Sequence, residues 1–286
     1  MKPDEKHLAE KGFVRRSEFL WSRTPLEDLN ERIAAADIFI SDLDECMFPS
    51  ITQADAAMDV MRQMVSDPFA DPGRPALILN MAANAVVLIA SKKYQEITGD
   101  IQNSRLIRLF ERFINGVPLD VFRKAADPLK DTYFTGVPEA VGCFSGRGIP
   151  VGVISLGLDI IIRELLEHIR AEHGVKFDFF DCTHVHGDSR GRFSGYDPEK
   201  TYTSNEDKRK LIRARCEQYG AKRCLVVGHD RDDIKMLDEA RKTGGVTVGF
   251  RPLAETYEHL DAAVFAEDWR PLASLFRNAV SRGVTA

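Results

Sequence analysis

An α/β fold, a parallel sheet flanked by helices and interrupted by an inserted helical subdomain, is expected for this 286-residue chain on three grounds. From about residue 137 onward, short β-rich runs alternate with amphipathic segments. Well ahead of them, the apolar, β-branched run Ile38-Phe39-Ile40 reads as a further strand of the same sheet. Between the two lies an excursion, about Pro49 to Asp131, that lacks period-2 alternation and carries helical spacing instead.

Taken in order, residues 1–36 are charged and mostly helical in pattern, with Phe19, Leu20 and Trp21 able to dock on a core. Ile38 to Leu43 forms the first strand. The excursion shows helical spacing at Leu106, Leu109, Phe110 and Phe113, and breaks at Asp67-Pro68, Asp71-Pro72-Gly73, Gly116-Val117-Pro118 and Asp127-Pro128 divide it into three or four helices. Its most apolar stretch, Ala76 to Ala90, falls short of the roughly 20 residues that span a bilayer and is interrupted by Asn80 and Asn84, so a buried helix is expected. Beyond it, strands are expected at Val151 to Ser155, Lys176 to Cys182, Cys224 to Gly228, Val246 to Phe250 and Ala262 to Phe265. Helices are expected near Glu139 to Arg147, Leu158 to His173, Glu206 to Tyr219, Asp233 to Lys242 and Trp269 to Arg277. The polar stretch His184 to Tyr196, with Gly187-Asp188 and Arg190-Gly191 between apolar flanks, reads as a β-hairpin leaving the sheet. The division that follows is a helical extension (1–36), a core (37–48 and 132–286) and a helical insertion (49–131).

Composition narrows the function classes. A hydrophobic fraction of 44% and a charged fraction of 29% are those of a water-soluble globular protein. A formal net charge of -5, with no concentrated basic face, argues against nucleic acid or an anionic membrane as partner. The charged start Met1 to Lys6 lacks the apolar core of a secretory signal, so a cytoplasmic location is expected. Cys46, Cys143, Cys182, Cys216 and Cys224 fall at irregular spacings with no CxxC, which fits reduced thiols rather than a disulfide framework or zinc knuckle.

The chemistry concentrates where strands end. Asp42-Leu43-Asp44-Glu45-Cys46 follows directly on the first strand, and two carboxylates so close repel unless a cation or hydrogen bonds compensate them. A bridging metal ion would make the pair useful, as would a division of labour in which one acid attacks and the other shuttles protons; a surface loop with two solvated acids is the bland alternative. Ser155 ends the apolar run Val151 to Ile154 ahead of Leu156-Gly157 and a helix, a setting that suits a phosphate oxygen or a simple helix cap. Lys208 sits at the start of a helix, where it opposes the helix dipole. Val226-Val227-Gly228-His229-Asp230-Arg231-Asp232-Asp233 runs a strand into a cluster of acids suited to a hard cation such as Mg²⁺, or to an acid-capped helix start. His184 and His186, at i and i+2, are read as solvated residues of an exposed strand rather than metal ligands.

In this order the four elements resemble the motifs of the haloacid dehalogenase (HAD) superfamily of aspartate-nucleophile phosphotransferases. Asp42 to Cys46 matches the first motif, Ser155 the second, Lys208 the third and Gly228 to Asp233 the fourth, over about residues 36–278. The resemblance is closest to the phosphoserine-phosphatase-like branch, through Thr135-Gly136-Val137-Pro138-Glu139, Arg147-Gly148-Ile149-Pro150, Gly157-Leu158-Asp159 and Gly191-Arg192-Phe193-Ser194-Gly195.

The resemblance implies a Rossmann-like core with a C1-type helical cap over residues 49–131. It implies a phosphoric monoester hydrolase in which Asp42 is the nucleophile, Asp44 the general acid and base, and Ser155, Leu156 and Lys208 the phosphate-binding group. Mg²⁺ would be held among Asp42, Asp44, Asp233, Asp230 and His229, and the substrate would be a small phosphate ester. Because the metal-free dehalogenase branch lacks an acid at the position of Asp44, ester hydrolysis is favoured over carbon-halogen cleavage. Transfer to a second substrate, as in a mutase, and a degenerate binding protein are the alternatives.

Two departures qualify it. The family's usual Gly-Asp pair is Gly228-His229 here, so either Asp230 becomes the ligand, His229 ligates and shifts preference toward Mn²⁺, or metal binding weakens. Leu156 stands where close relatives have glycine, narrowing the space around the phosphate. No insertion residue matches those that read the amino and carboxyl groups of phosphoserine, and the sequence leaves the oligomeric state open.

Overall fold

The computed structural model describes residues 3–98 and 103–282. Its elements in chain order are α1 (Glu5–Glu10), β1 (Val14–Arg15), β2 (Leu20–Ser22), α2 (Leu26–Ala34), β3 (Ile38–Ser41), α3 (Thr52–Ser66), α4 (Arg74–Thr98), α5 (Asn103–Ile114), α6 (Leu119–Ala125), α7 (Val137–Ser145), β4 (Val151–Leu158), α8 (Asp159–His173), β5 (Phe179–Thr183), β6 (Val185–Gly187), β7 (Phe193–Tyr196), α9 (Asn205–Tyr219), β8 (Cys224–Gly228), α10 (Ile234–Lys242), β9 (Val246–Phe250), β10 (Ala262–Val264) and α11 (Arg270–Arg282). The expected α/β class is what forms.

The main sheet has the order β1-β2-β10-β9-β8-β3-β4-β5, parallel from β10 to β5. Its central strands are buried on both faces, as parallel strands covered by helices must be, which is why Cys224 to Gly228 and Val246 to Phe250 read as unbroken apolar runs. One apolar layer lies between the sheet and α2, α7, α8 and α11, and contains Phe39, Phe144 and Phe276. Phe39 stacks on Phe144 at 4.9 Å between centroids and Phe276 meets both edge-on, pairs that each contribute about 0.5–1.5 kcal/mol beyond burial. The opposite layer, with Ile38, Ile40 and Val226, packs under α9 and α10.

Residues 1–36 depart from the expected helical extension. Leu20 and Trp21 lie on β2, which pairs antiparallel with β10 and extends the sheet, Leu20 joining one apolar layer and Trp21 the other. Phe19 packs against the first layer from its edge.

The segment between β3 and α7 holds four helices, α3 to α6; the expected breaks at Asp67-Pro68 and Asp71-Pro72-Gly73 both fall between α3 and α4, Gly116-Val117-Pro118 falls between α5 and α6, and Asp127-Pro128 follows α6. One expectation fails here: the apolar stretch Ala76 to Ala90 is helical, but over residues 76–87, where its side chains are described, it is not buried. Leu77, Met81 and Ala85, four residues apart, turn inward, while Leu79, Val86 and Val87 are exposed. Four helices beside one another leave too little apolar surface to surround a helix that is apolar on every side. No helix among the described residues is long and apolar enough to cross a membrane.

The hairpin expected over His184 to Tyr196 forms as β6 and β7 and grips the helical insertion. Gly116 N donates to Phe193 O at 2.9 Å, Phe193 N to Val117 O at 2.8 Å and Leu119 N to Gly191 O at 2.9 Å. Strand limits shift modestly elsewhere. β4 runs on to Leu158, and β5 starts at Phe179, just after Asp178, whose side chain accepts from Val151 N at 3.0 Å while its own N–H donates to Val151 O at 2.7 Å.

Candidate active site

Asp42 stands one residue beyond β3, and its N–H still donates to Val227 O at 3.0 Å, so the carboxylate is delivered at the carboxyl end of the central strands. There the chain turns sharply. Met47 N and Phe48 N both donate to Leu43 O, and Glu45 takes a left-handed φ of 54° that non-glycine residues rarely adopt. The turn buries Leu43 and leaves Asp44 half-buried, its Oδ1 accepting from Thr52 N at 2.9 Å and Thr52 Oγ1 at 2.7 Å. Thr52 escaped sequence reasoning, because nothing in the intervening loop marks it as a partner of Asp44. Trp269 escaped too: its Nε1 donates to Cys46 O at 2.7 Å and pins the turn from beneath.

β8 supplies the opposite wall. Gly228 ends the strand where a Cβ would lie 3.0 Å from both Asp233 Cβ and Oδ2, so any larger residue would press on the acid that folds back over it. Asp233 is fully buried, and its Oδ2 accepts from His229 N at 2.7 Å and Asp230 N at 3.3 Å. Asp230 Oδ1 accepts in turn from Asp232 N at 2.9 Å. The His229 ring is engaged with β9, Nδ1 lying 3.1 Å from Phe250 O.

Lys208 joins the two walls. Ser204 caps α9 and accepts from Asp207 N, setting Lys208 in the first turn, where it is 3% exposed. Its Nζ donates to Asp42 Oδ1 and to Asp233 Oδ1, each at 2.7 Å. Burial alone would lower the Lys208 pKa, but Asp233 and then Asp42 outweigh it and hold the ammonium well above its usual range. Burial, reinforced by Asp233, pushes Asp42 well above the ordinary carboxylate value despite Lys208. Asp44 is also raised, its burial outweighing the Thr52 hydrogen bonds. Burial and then Asp233 push Asp230 up to about 6.

On the other side of β3, Ser41 pairs with Val153 of β4, so Asp42 and Ser155 leave adjacent strands at nearly the same level. Ser155 is 2% exposed, and its Oγ accepts from Gly157 N at 3.1 Å. Leu156 follows it, half-buried. Lys208 thus contacts both Asp42 and Asp233, Asp44 and Asp230 flank them, and Ser155 lies within the neighbouring strand β4.

No family model matches the chain, and no curated protein matches it by sequence. Solved structures do. A probable phosphoserine phosphatase from Vibrio cholerae superposes with a TM-score of 0.64 at 13% identity, covering 91% of this chain and 69% of that one. A cytosolic 5'-nucleotidase IIIB bound to cytidine superposes with a TM-score of 0.66 at 12% identity, covering 99% of each chain. A HAD family hydrolase from Salmonella enterica serovar Typhi gives 0.59 at 14% identity over 84% of this chain and 71% of that one. The fold is that of the haloacid dehalogenase superfamily.

Within this HAD fold the donor chemistry suits a hard divalent cation. Asp42, Asp44, Asp230 and Asp233 surround a single ammonium, Lys208, and Asp42 and Asp230 are raised first by burial and then by the neighbouring charge of Asp233. No three His, Cys, Asp or Glu side chains among the described residues converge to hold a metal as they stand. The five residues expected as ligands therefore do not form a ready-made cage; one or two carboxylates with water, the usual Mg²⁺ arrangement, is the arrangement this donor set can offer. His184 and His186 stand apart from the site, with His184 Nδ1 3.7 Å from Asp159 Oδ2 and His186 Nε2 3.9 Å from Asp197 Oδ2.

Proposed function

We propose that this chain is a phosphatase acting on a small phosphorylated metabolite through an aspartyl-phosphate on Asp42. The observation that carries the reading is Lys208 Nζ held 2.7 Å from both Asp42 and Asp233. A buried ammonium locked between two acids orients Asp42 and offers positive charge where a phosphoryl group would arrive.

In the first step an Asp42 carboxylate oxygen attacks phosphorus in line, and the bond to the leaving oxygen breaks while Asp44 supplies its proton. The raised pKa of Asp44 favours that protonated form. In the second step Asp44 takes a proton from water, which attacks the phosphorus, releases inorganic phosphate and restores Asp42. Ser155 Oγ and Lys208 Nζ hold the non-bridging oxygens of the phosphoryl group throughout, with Leu156 beside them limiting the space. Mg²⁺, held by Asp42 and Asp230, would reduce repulsion between the nucleophile and an anionic substrate. Asp230 is favoured over His229 because its charge acts on both Asp42 and Lys208. Helices α3 to α6 would serve as the cap that excludes water and selects the substrate.

A panel of phosphate esters assayed with Mg²⁺ and with Mn²⁺ tests the reading. Turnover of at least one ester, abolished in Asp42→Asn, is expected. No turnover on any ester, with Asp42→Asn indistinguishable from wild type, would leave a catalytically degenerate binding protein as the better description.

A further inference from the structure

Two of the five cysteines form a pair that the phosphatase reading does not use. Cys216 lies in the last turn of α9 and Cys224 opens β8, at the opposite end of that strand from Gly228 and the catalytic candidates. Gly220, with a left-handed φ of 63°, ends α9 and turns the chain back, and Ala221 N donates to Cys216 O at 2.8 Å. Both cysteines are free, and both belong to the apolar layer under α9 and α10. A cavity of about 370 Å³ is lined by both of them, with Arg213, Glu239 and Thr243 also on its wall. Arg213 Nη2 is engaged by Glu239 Oε1 at 2.8 Å, and the two thiols are the readily oxidised groups of that wall.

Packing alone would make such thiols inert, because a cysteine buried in apolar surroundings is a small hydrophobe that stays protonated. Cys46 and Cys182 behave this way, burial pushing each thiol well above its usual value. Cys224 departs from the pattern. A hydrogen bond from Cys216, aided by one from Thr243, outweighs burial and holds the Cys224 thiol below its usual value, while the same bond, with burial, raises Cys216. The pair is therefore polarised, with Cys224 ionising first and Cys216 keeping its proton beside it. An ionisable thiol with a second thiol in contact, on a cavity that admits a small reagent, is the arrangement that oxidises reversibly to a disulfide.

We propose that Cys224 and Cys216 are the nucleophilic and resolving thiols of a reversible oxidation site that takes hydrogen peroxide. The Cys224 thiolate attacks one peroxide oxygen, the O–O bond breaks, and the departing hydroxide takes up the proton that Cys224 released, leaving a sulfenic acid. The Cys216 sulfur then attacks the Cys224 sulfur. An S–S bond forms, the S–O bond breaks, and hydroxide leaves with the Cys216 proton as water. In sum the two thiols lose two electrons and two protons, and the peroxide is reduced to two waters. A dithiol reductant reverses the change by exchange. The site is independent of the phosphatase reading.

Hydrogen peroxide is the probe, applied to the reduced, folded full chain, which is then alkylated in denaturant and digested with trypsin. Lys222 and Arg223 separate the two cysteines, so a bond between them joins two tryptic peptides. That linked pair is expected as the dominant product, reversed by dithiothreitol, with Cys46 and Cys182 still alkylated. In Cys216→Ser, Cys224 should stop at the sulfenic acid and take up dimedone at least about tenfold faster than Cys216 does in Cys224→Ser. Wild type alone decides if either variant fails to fold. Cys216 and Cys224 still reduced after exposure, or oxidised no faster than Cys46 and Cys182, would overturn the proposal, as would dimedone labelling of Cys216 at the rate of Cys224.

Discussion

Trp269 Nε1 donates to Cys46 O at 2.7 Å, tying the residue ahead of the last helix to the turn that carries Asp42 and Asp44, across more than two hundred residues of chain. The same residue packs against Phe250 at 5.8 Å between ring centroids, so one side chain braces the turn and the end of β9 together. Gly136 lets it approach: with a φ of 95°, a Cβ there would meet the backbone of Trp269 and Arg270 at 2.6 Å.

Trp269→Phe keeps the aromatic packing and leaves the buried Cys46 carbonyl without its donor. A loss of about 1–3 kcal/mol in urea unfolding is expected. Any phosphatase activity should fall with it, because the turn loses its anchor.

Thr52→Val is nearly isosteric and removes the Oγ1 donor to Asp44 while keeping the backbone N–H. Hydrogen bonds to a carboxylate hold its pKa down, so Asp44 should rise further, by about one pH unit for a charged hydrogen bond of roughly 1.4 kcal/mol. The pH optimum of kcat should move upward, with a modest fall in melting temperature at neutral pH, where the lost hydrogen bond is to the ionised carboxylate. An unchanged profile would remove Asp44 from the proton-transfer role.

Asp230 supplies a stability signature in chelated, metal-free buffer. Its pKa of about 6 in the folded chain exceeds the ordinary 3.8, so between these values the folded state keeps a proton that the unfolded state has released. Stability from this group is therefore fully present at low pH, declines as pH rises from about 4 to about 6, and is flat above. Asp230→Asn should match wild type near pH 4 and exceed it by roughly 2–3 kcal/mol above pH 7 in urea titrations.

His229→Asp places an acid where the HAD motif that this stretch resembles usually has one. An added anionic oxygen donor should tighten Mg²⁺ binding by at least about tenfold in calorimetry and reduce any preference for Mn²⁺. Equal affinity would mean that position 229 lies outside the cation's reach.

The site's components were legible because each falls at the end of an apolar run: Asp42 after Ile38 to Ser41, Ser155 within β4, Gly228 at the close of β8. The partners that tune them were not. Thr52 reaches Asp44 across a loop and Trp269 reaches Cys46 across most of the chain, and neither relation leaves a local pattern. β1 and β2, two and three residues long, are too short to show alternation, so the charged residues around them read as helix. The exposed flank of α4 failed for the opposite reason. Its apolar composition was clear, but burial depends on how much surface the neighbouring helices can cover, which no local window records.

The central claim is that Asp42 carries the phosphoryl group, and beryllium fluoride tests it without knowledge of the substrate. In the presence of Mg²⁺, wild type should form a stoichiometric adduct with a distinct fluorine NMR spectrum, a crystal structure should place beryllium on an Asp42 oxygen, and Asp42→Asn should abolish it. Failure of wild type to form the adduct, or an adduct that persists in Asp42→Asn, would contradict the account.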